Sequence, residues 1–141
     1  MPEMLHCPQD GSRVWFGMAD YEVYSPNERT VLVLPYVGEP PHGDSQHKVL
    51  FQGWVVPGFA WGNGLAWSPC SRYLTLDWLP RLGAVARQCI VIDVERQSTF
   101  TLLEHVEVSR FIYPCVYVGA GIHERVAFEF SGQERWFPVA A

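Results

Sequence analysis

"LAWSPCSRYLTLDWL", Leu65 to Leu79, is the stretch whose reading decides the fold. A short apolar segment, Leu65–Trp67, runs into Ser68-Pro69, where the proline removes a ladder donor and starts a turn. Beyond Arg72 the pattern resumes at Tyr73, with Leu74, Leu76 and Trp78 two residues apart, so that their side chains share one face of a second strand. The same order recurs upstream in "VYSPNERTVLVL", Val23 to Leu34, and its Pro26 lies 43 residues before Pro69. A fainter copy, "FIYP" at Phe111 to Pro114, puts its proline 45 residues after Pro69. An interval of about 40–45 residues is the length of one four-stranded propeller blade.

Around these corners the strands can be laid out. The first copy predicts Glu22–Tyr24, Thr30–Leu34 and Val49–Val56, with "GEPPHGDSQH" as a polar loop between the last two. In the second copy, Cys89–Ile92 reads as a buried strand, Glu95–Ser98 as a turn and "TFTLLEHV" as the closing strand. The third runs through "CVYVGAGIHE" to the strand "VAFEF", and "ERWFPV" closes the chain's pattern. "SRVWFG", Ser12 to Gly17, is placed as an added edge strand, and only Leu82–Arg87 offers a short helical spacing. A chain of 141 residues, 48% hydrophobic, with 11 prolines and 12 glycines, suits one all-β domain spanning 1–141. Its blade-like repeats fall at about 20–62, 63–106 and 107–141.

The corners "WSPCSRYLTL" and "YSPNERTVLVL" resemble the "fSPDGryLa" corners of TolB-like and WD40-like propeller repeats, with Cys70-Ser71 and Asn27-Glu28 where those families carry Asp-Gly. The resemblance implies two to three antiparallel blades. Closed propellers use about four to eight, so the expectation is an open stack and not a ring within one chain. Blades are apolar on both faces because each packs between neighbours. An open stack therefore has faces and edges that something must cover: a loop, a second copy of the chain, or another protein.

The charge of −5 and the lack of any Lys or Arg run argue against a nucleic-acid partner. Acidity concentrates in the first half, where residues 1–63 hold seven acids against three bases and residues 64–141 hold eight against seven. The start of the chain does not read as a signal peptide, and no long apolar run reads as a membrane span, so a cytoplasmic protein without a membrane partner is expected. Nine of the ten basic residues are Arg, a bias typical of GC-rich bacterial genomes. Cys7, Cys70, Cys89 and Cys115 show no metal-type spacing and read as free thiols.

Candidate chemistry is sparse. "HGDSQH" gathers His42, Asp44, Ser45 and His47, which could hold a metal, but one loop cannot bring a catalytic triad together from separate elements, and the stretch reads as a solvated loop. Cys70 has no histidine nearby in sequence, His105 is isolated, and Asp77 and Asp93 read as strand residues that hydrogen-bond a neighbouring turn. No catalytic residue, metal or cofactor is expected. "FQGWVVPGFAWGNGLAW", Phe51 to Trp67, is different: its aromatics sit among four glycines and a proline, which predicts a loop bearing large rings. Phe59 and Trp61 are the expected exposed anchors for a partner, with Trp54 beside them, Asn63 as a directional hydrogen bonder and His42, Asp44 and His47 as the polar part of the surface.

These features point to a non-enzymatic protein-binding module. In its corner motif the chain is also similar to small bacterial toxin-immunity proteins with incomplete-propeller folds, such as those that neutralise type VI secretion effectors. That likeness implies an inhibitor that binds and occludes a cognate toxin or effector domain in the cytoplasm. The rival expectations are a self-associating half-propeller, whose homodimer closes a ring of blades, and, last, a metal-dependent enzyme using the His42–His47 loop.

Overall fold

A computed structural model describes residues 1–38, 45–84 and 86–139. Its strands are β1 (Glu3–His6), β2 (Arg13–Trp15), β3 (Tyr21–Tyr24), β4 (Val31–Leu34), β5 (Tyr36–Gly38), β6 (Gln46–Phe51) and β7 (Trp54–Trp67). They continue as β8 (Tyr73–Leu79), β9 (Gln88–Asp93), β10 (Ser98–Thr101), β11 (Val108–Ile112), β12 (Cys115–Val118), β13 (Arg125–Glu129) and β14 (Phe137–Pro138). Among the described residues the one helical element is a 3-10 turn, Gly121–His123, so the fold is all-β, and no helix is long and apolar enough to cross a membrane. The large sheet runs β1-β3-β4-β6-β7-β8-β9-β10-β14, with β2 and β5 attached to β7 and β6; the small one is β11-β12-β13. Neither sheet closes on itself.

The two Ser-Pro corners are the same turn built twice. In the first, the Glu28 N–H donates to Ser25 O at 2.8 Å and the Ser25 N–H to Thr30 O at 2.9 Å; in the second, Ser71 donates to Ser68 O at 2.8 Å and Ser68 to Tyr73 O at 2.8 Å. Glu28 and Ser71, three residues after each serine, both adopt the left-handed conformation, at φ 62° and 67°. The third corner differs: Tyr113 and a cis Pro114 join β11 to β12 directly, with Ile112 paired to Cys115. Side chains lock the three together. Ser71 Oγ accepts the Asn27 N–H at 3.0 Å, and Ser68 Oγ accepts the Tyr113 N–H at 3.0 Å.

Alternation along the middle strands explains the layering. Leu65 and Trp67 of β7, Leu74 and Leu76 of β8, and Ile90 and Ile92 of β9 enter one core cluster with Val23, Leu32, Leu34 and Val49 from the first repeat. Ala66, Cys89 and Val91, one residue out of phase, enter a second cluster with Val108, Phe111 and Val116 from the third. The second repeat is thus buried on both faces, as a blade between neighbours must be. Burying each such Leu, Ile or Val side chain is worth about 1.5–3 kcal/mol. The largest, Trp67, has its indole N–H satisfied by Ser71 O at 3.0 Å.

Several expected elements are corrected. Val49–Val56 is a hairpin, not one strand: it reverses at Gln52-Gly53, where Gly53 has φ 85°, and Phe51 faces Trp54 across the turn. The Gly- and Trp-rich run beyond it is no loop but the 14-residue β7. Its glycines serve close packing, since a Cβ on Gly58 (φ +81°) would stand 2.5 Å from Leu79 O and from the Trp78 indole nitrogen. The first half of β7 pairs with β6 and the second with β2, while β8 pairs with both halves through a register shift between Ala60 and Leu65. The expected boundary at residues 62 and 63 therefore lies inside a strand that ends one repeat and begins the next. In the expected helical stretch Leu82–Arg87, residue 85 lies outside the described residues and the described part before it is a turn closed by the Ala84 N–H on Arg81 O; of "ERWFPV" only Phe137–Pro138 is strand.

"SRVWFG" supplies β2, which was expected as an edge strand, and its role is wider than that. β1 lies parallel to β3, the first strand of repeat one; Gly11 O accepts the Phe111 N–H at 2.8 Å and Ser12 bridges to Arg110 on β11; β2 then pairs antiparallel with β7. Residues 3–15 therefore run along the first strand of every repeat.

Candidate functional site

The three corners gather at one end of the stack, and the polar interior opens at the other. Because Leu74, Leu76 and Trp78 face the first core cluster, Thr75 and Asp77 of β8 must face the third repeat. Thr75 is satisfied by donating its hydroxyl to Ile90 O at 2.9 Å. Asp77, only 6% exposed, collects four partners. Its cross-strand neighbour on β9 is Cys89, whose Sγ lies 3.5 Å from Oδ1. His105, on the loop after β10, brings Nε2 to 3.0 Å from the same oxygen. Arg13 of β2 approaches Oδ2 at 3.5 Å and Arg87, just before β9, at 3.9 Å.

Each guanidinium also lies over an indole: Arg13 above Trp15 and Arg87 above Trp61, both at 4.7 Å. Arg13 donates further to Val108 O at 3.2 Å, while its buried Nε has no acceptor. Burial pushes the Cys89 thiol up to about 12, so at neutral pH it is protonated and donates to Val106 O at 3.1 Å. His105 bonds to Asp77 and is not paired with the thiol as its base, so the cluster lacks the nucleophile-and-base arrangement of covalent catalysis. What it provides is a buried carboxylate flanked by two fixed cations.

Arg13, Asp77 and Arg87 line a cleft of about 670 Å³. It shares Glu107 and Gly119 with a neighbouring depression of about 560 Å³, which in turn shares Glu104, Val106 and Ala127 with a third of about 200 Å³. Together they form one groove between the second and third repeats. Large apolar side chains stand exposed along it or beside it: Trp15 at 64% on the cleft wall, Leu103 at 94% on the third depression, and Ile122 at 95% just beyond Ala120.

The residues expected to bind a partner are arranged otherwise. His47 is not on a solvated loop: it lies in β6, fully buried among the rings of Phe16, Tyr21 and Tyr36, with Nε2 donating to Ala19 O at 2.8 Å and Nδ1 unpartnered. Burial holds its pKa below the ordinary imidazole value. Ser45 is buried as well. Trp54 is a core residue stacked on Phe51 at 4.5 Å. Phe59 and Trp61 are half-buried, not exposed anchors: both lie inside β7, and the Arg87 guanidinium covers the Trp61 ring. His42, Asp44 and the Asn63 side chain lie outside the described residues.

Sequence reasoning passed over Asp77, Cys89, His105, Arg13, Arg87 and Trp15. One signal was available: an aspartate in "LTLDWL" interrupts a strand whose neighbours on both sides are apolar, and a carboxylate in such a place needs partners. Which partners it has depends on residues up to 64 positions away. Comparison with known proteins found no matching family model, no matching curated protein and no matching solved structure.

Proposed function

We propose that the chain is a non-enzymatic protein-binding module whose recognition surface is the groove between the second and third repeats. The observation that carries this reading is the exposure of Trp15, Leu103 and Ile122 around a groove floored by the Arg13–Asp77–Arg87 ion cluster. Rigid aromatic and aliphatic anchors beside pre-ordered charged groups are what protein interfaces use for affinity and register. The narrower proposal, that the partner is a bacterial toxin or effector domain and the chain its immunity protein, is supported by the open blade-like stack. Co-purification with the product of the gene adjacent to its own in the native genome tests it. Trp15→Ala and Leu103→Ala together are expected to weaken that complex at least about tenfold, the scale of one hot-spot residue, while Cys70→Ser leaves it intact. Unchanged affinity in the double variant would move the interface elsewhere, and no complex with any neighbouring product would remove the immunity reading.

A second reading has its own support. Met4 on β1 and Val37 and Val55 on the first repeat beside it are exposed at 56%, 39% and 54%, which favours symmetric self-association of two open stacks. Light scattering separates the two readings, since a protein that stays monomeric at tens of micromolar excludes the dimer.

A further inference from the structure

Asp77, Cys89 and His105 bring three metal-ligating atoms of different chemistry to one place. Asp77 Oδ1 is 3.0 Å from His105 Nε2 and 3.5 Å from Cys89 Sγ, and ligand atoms from the three residues all lie within 4.8 Å of one another. Zinc binds such donors at about 2.0–2.3 Å, so neighbouring ligands in a tetrahedral shell stand roughly 3.2–3.8 Å apart. The 3.5 Å separation already fits that shell, the 3.0 Å one must open by a few tenths of an ångström, and the remaining pair, within 4.8 Å, lies within reach of the same ion. Two of the ligands are cross-strand partners on β8 and β9, which fixes their spacing, and the third comes from the loop after β10.

We propose that Asp77, Cys89 and His105 form a binding site for a divalent transition metal of the zinc type. This goes beyond the binding-module reading and does not depend on it. A mixed nitrogen, oxygen and sulfur set selects zinc-like ions over magnesium or calcium, which require oxygen donors. The nearby cations do not exclude the ion. Arg13 and Arg87 make their ion pairs with Oδ2, whereas Oδ1 faces the other two ligands. A carboxylate and a thiolate also neutralise a divalent charge, so the guanidiniums face a site with no net charge. The outer shell is supplied too, since the Val106 N–H donates to Cys89 Sγ at 3.4 Å, the kind of hydrogen bond that supports a metal-bound thiolate.

Binding breaks the Cys89 S–H bond and forms a metal–sulfur bond, and the proton passes to the buffer. The fourth position is filled by water from the cleft that Asp77 lines.

The test uses tag-free, reduced, chelator-washed full-length protein titrated with Co²⁺ and then Zn²⁺. One equivalent of Co²⁺ is expected to give tetrahedral d–d bands and a thiolate-to-cobalt charge-transfer band, both abolished when Zn²⁺ displaces it. Calorimetry in two buffers should show about one proton released per ion. Cys89→Ser should remove the charge-transfer band. His105→Ala, a change on an exposed loop that leaves the β-sheet circular dichroism intact, should weaken Zn²⁺ binding at least tenfold. Cys70→Ser should change nothing. Absence of binding at micromolar metal, or stoichiometric binding that survives His105→Ala undiminished, would overturn the proposal.

Discussion

Asp77→Asn keeps the shape of the side chain and removes its charge, which isolates what the carboxylate does. Arg13, whose side chain is 12% exposed, then loses its ion-pair partner and keeps the hydrogen bond to Val108 O and its place over the Trp15 ring. Breaking a buried ion pair from one side costs about 3–5 kcal/mol, because the remaining charge stays buried without compensation. The 3.5 Å separation is not a bidentate contact, so the lower end applies. The bond from His105 adds at most about 1 kcal/mol, since that side chain is 30% exposed and water replaces the lost acceptor. A loss of about 3–4 kcal/mol follows, a large part of the 5–15 kcal/mol that typically separates folded from unfolded chains. With a urea m-value of roughly 2 kcal/mol per molar, the midpoint should fall by about 1.5–2 M. Unfolding would be followed by tryptophan fluorescence in the presence of a chelator, so that adventitious metal does not contribute. Arg13→Met in the Asp77→Asn background removes the orphaned cation while keeping an apolar stem of similar reach, and should recover at least half of the loss. A cost below about 1 kcal/mol for the single change, or no recovery in the double variant, would refute the ion cluster as the element that holds the groove floor.

The buried His47 makes stability depend on pH. The fold favours its neutral form, so the unfolded chain protonates first as pH drops through about 6.5. Its contribution is complete above that pH and is lost as pH falls toward the lowered folded value; urea midpoints from pH 7.5 to 5 should decline, and His47→Phe should flatten the decline. Gly11→Ala puts a Cβ 2.2 Å from Phe111 O at a residue with φ +78°, so it should lower the melting temperature by about 10 °C, corresponding to a loss of about 3 kcal/mol. Gly132→Ala, at φ +90° with nothing within 4 Å, serves as the control and should cost only about 1–2 kcal/mol. Ser68→Ala should cost about 1–2 kcal/mol by stranding the Tyr113 N–H, and Ser71→Ala less, because Asn27 is exposed and water can take over; equal losses in urea unfolding would contradict the interlocking of corners.

What the sequence made legible was local. The two Ser-Pro corners, the alternating face of Leu74, Leu76 and Trp78, and the buried Cys89–Ile92 strand follow from period-two patterning and proline chemistry, which act within a few residues. Asp93 was legible for the same reason: its Oδ1 accepts the Glu95 and Arg96 N–H groups of the following turn, each at 3.1 Å, and both carboxylate oxygens pair with Arg72. The misreadings are non-local. Glycines in "GFAWGNG" look like a loop because glycine is permissive, yet Gly58 is there for the close approach of Trp78 and Leu79 from another strand. His47 looked solvated because its sequence neighbours are polar, although the rings that bury it come from residues 16, 21 and 36. The site was missed on the same principle, since Arg13, Asp77 and His105 acquire their roles only when three repeats stack.

The open stack leaves first-strand edges that something must cover, and residues 3–15 cover them. In a closed ring the first strands of the blades face a shared axis and need no further cover. Here the segment pairs with β3, touches β11 through Gly11 and Ser12, and pairs with β7, so the first-strand edges are satisfied by backbone of the same chain. That arrangement also places Arg13 and Trp15. An arginine on β2 reaches Asp77 because β2 sits beside the second half of β7, whose other neighbour there is β8. The device that removes the need for ring closure is therefore the device that builds the groove: covering the first-strand edge delivers one cation to the floor and one exposed indole to the wall. Loss of the segment should accordingly abolish folding and recognition together, whereas Trp15→Ala should separate them, leaving the stack intact and the groove without its anchor.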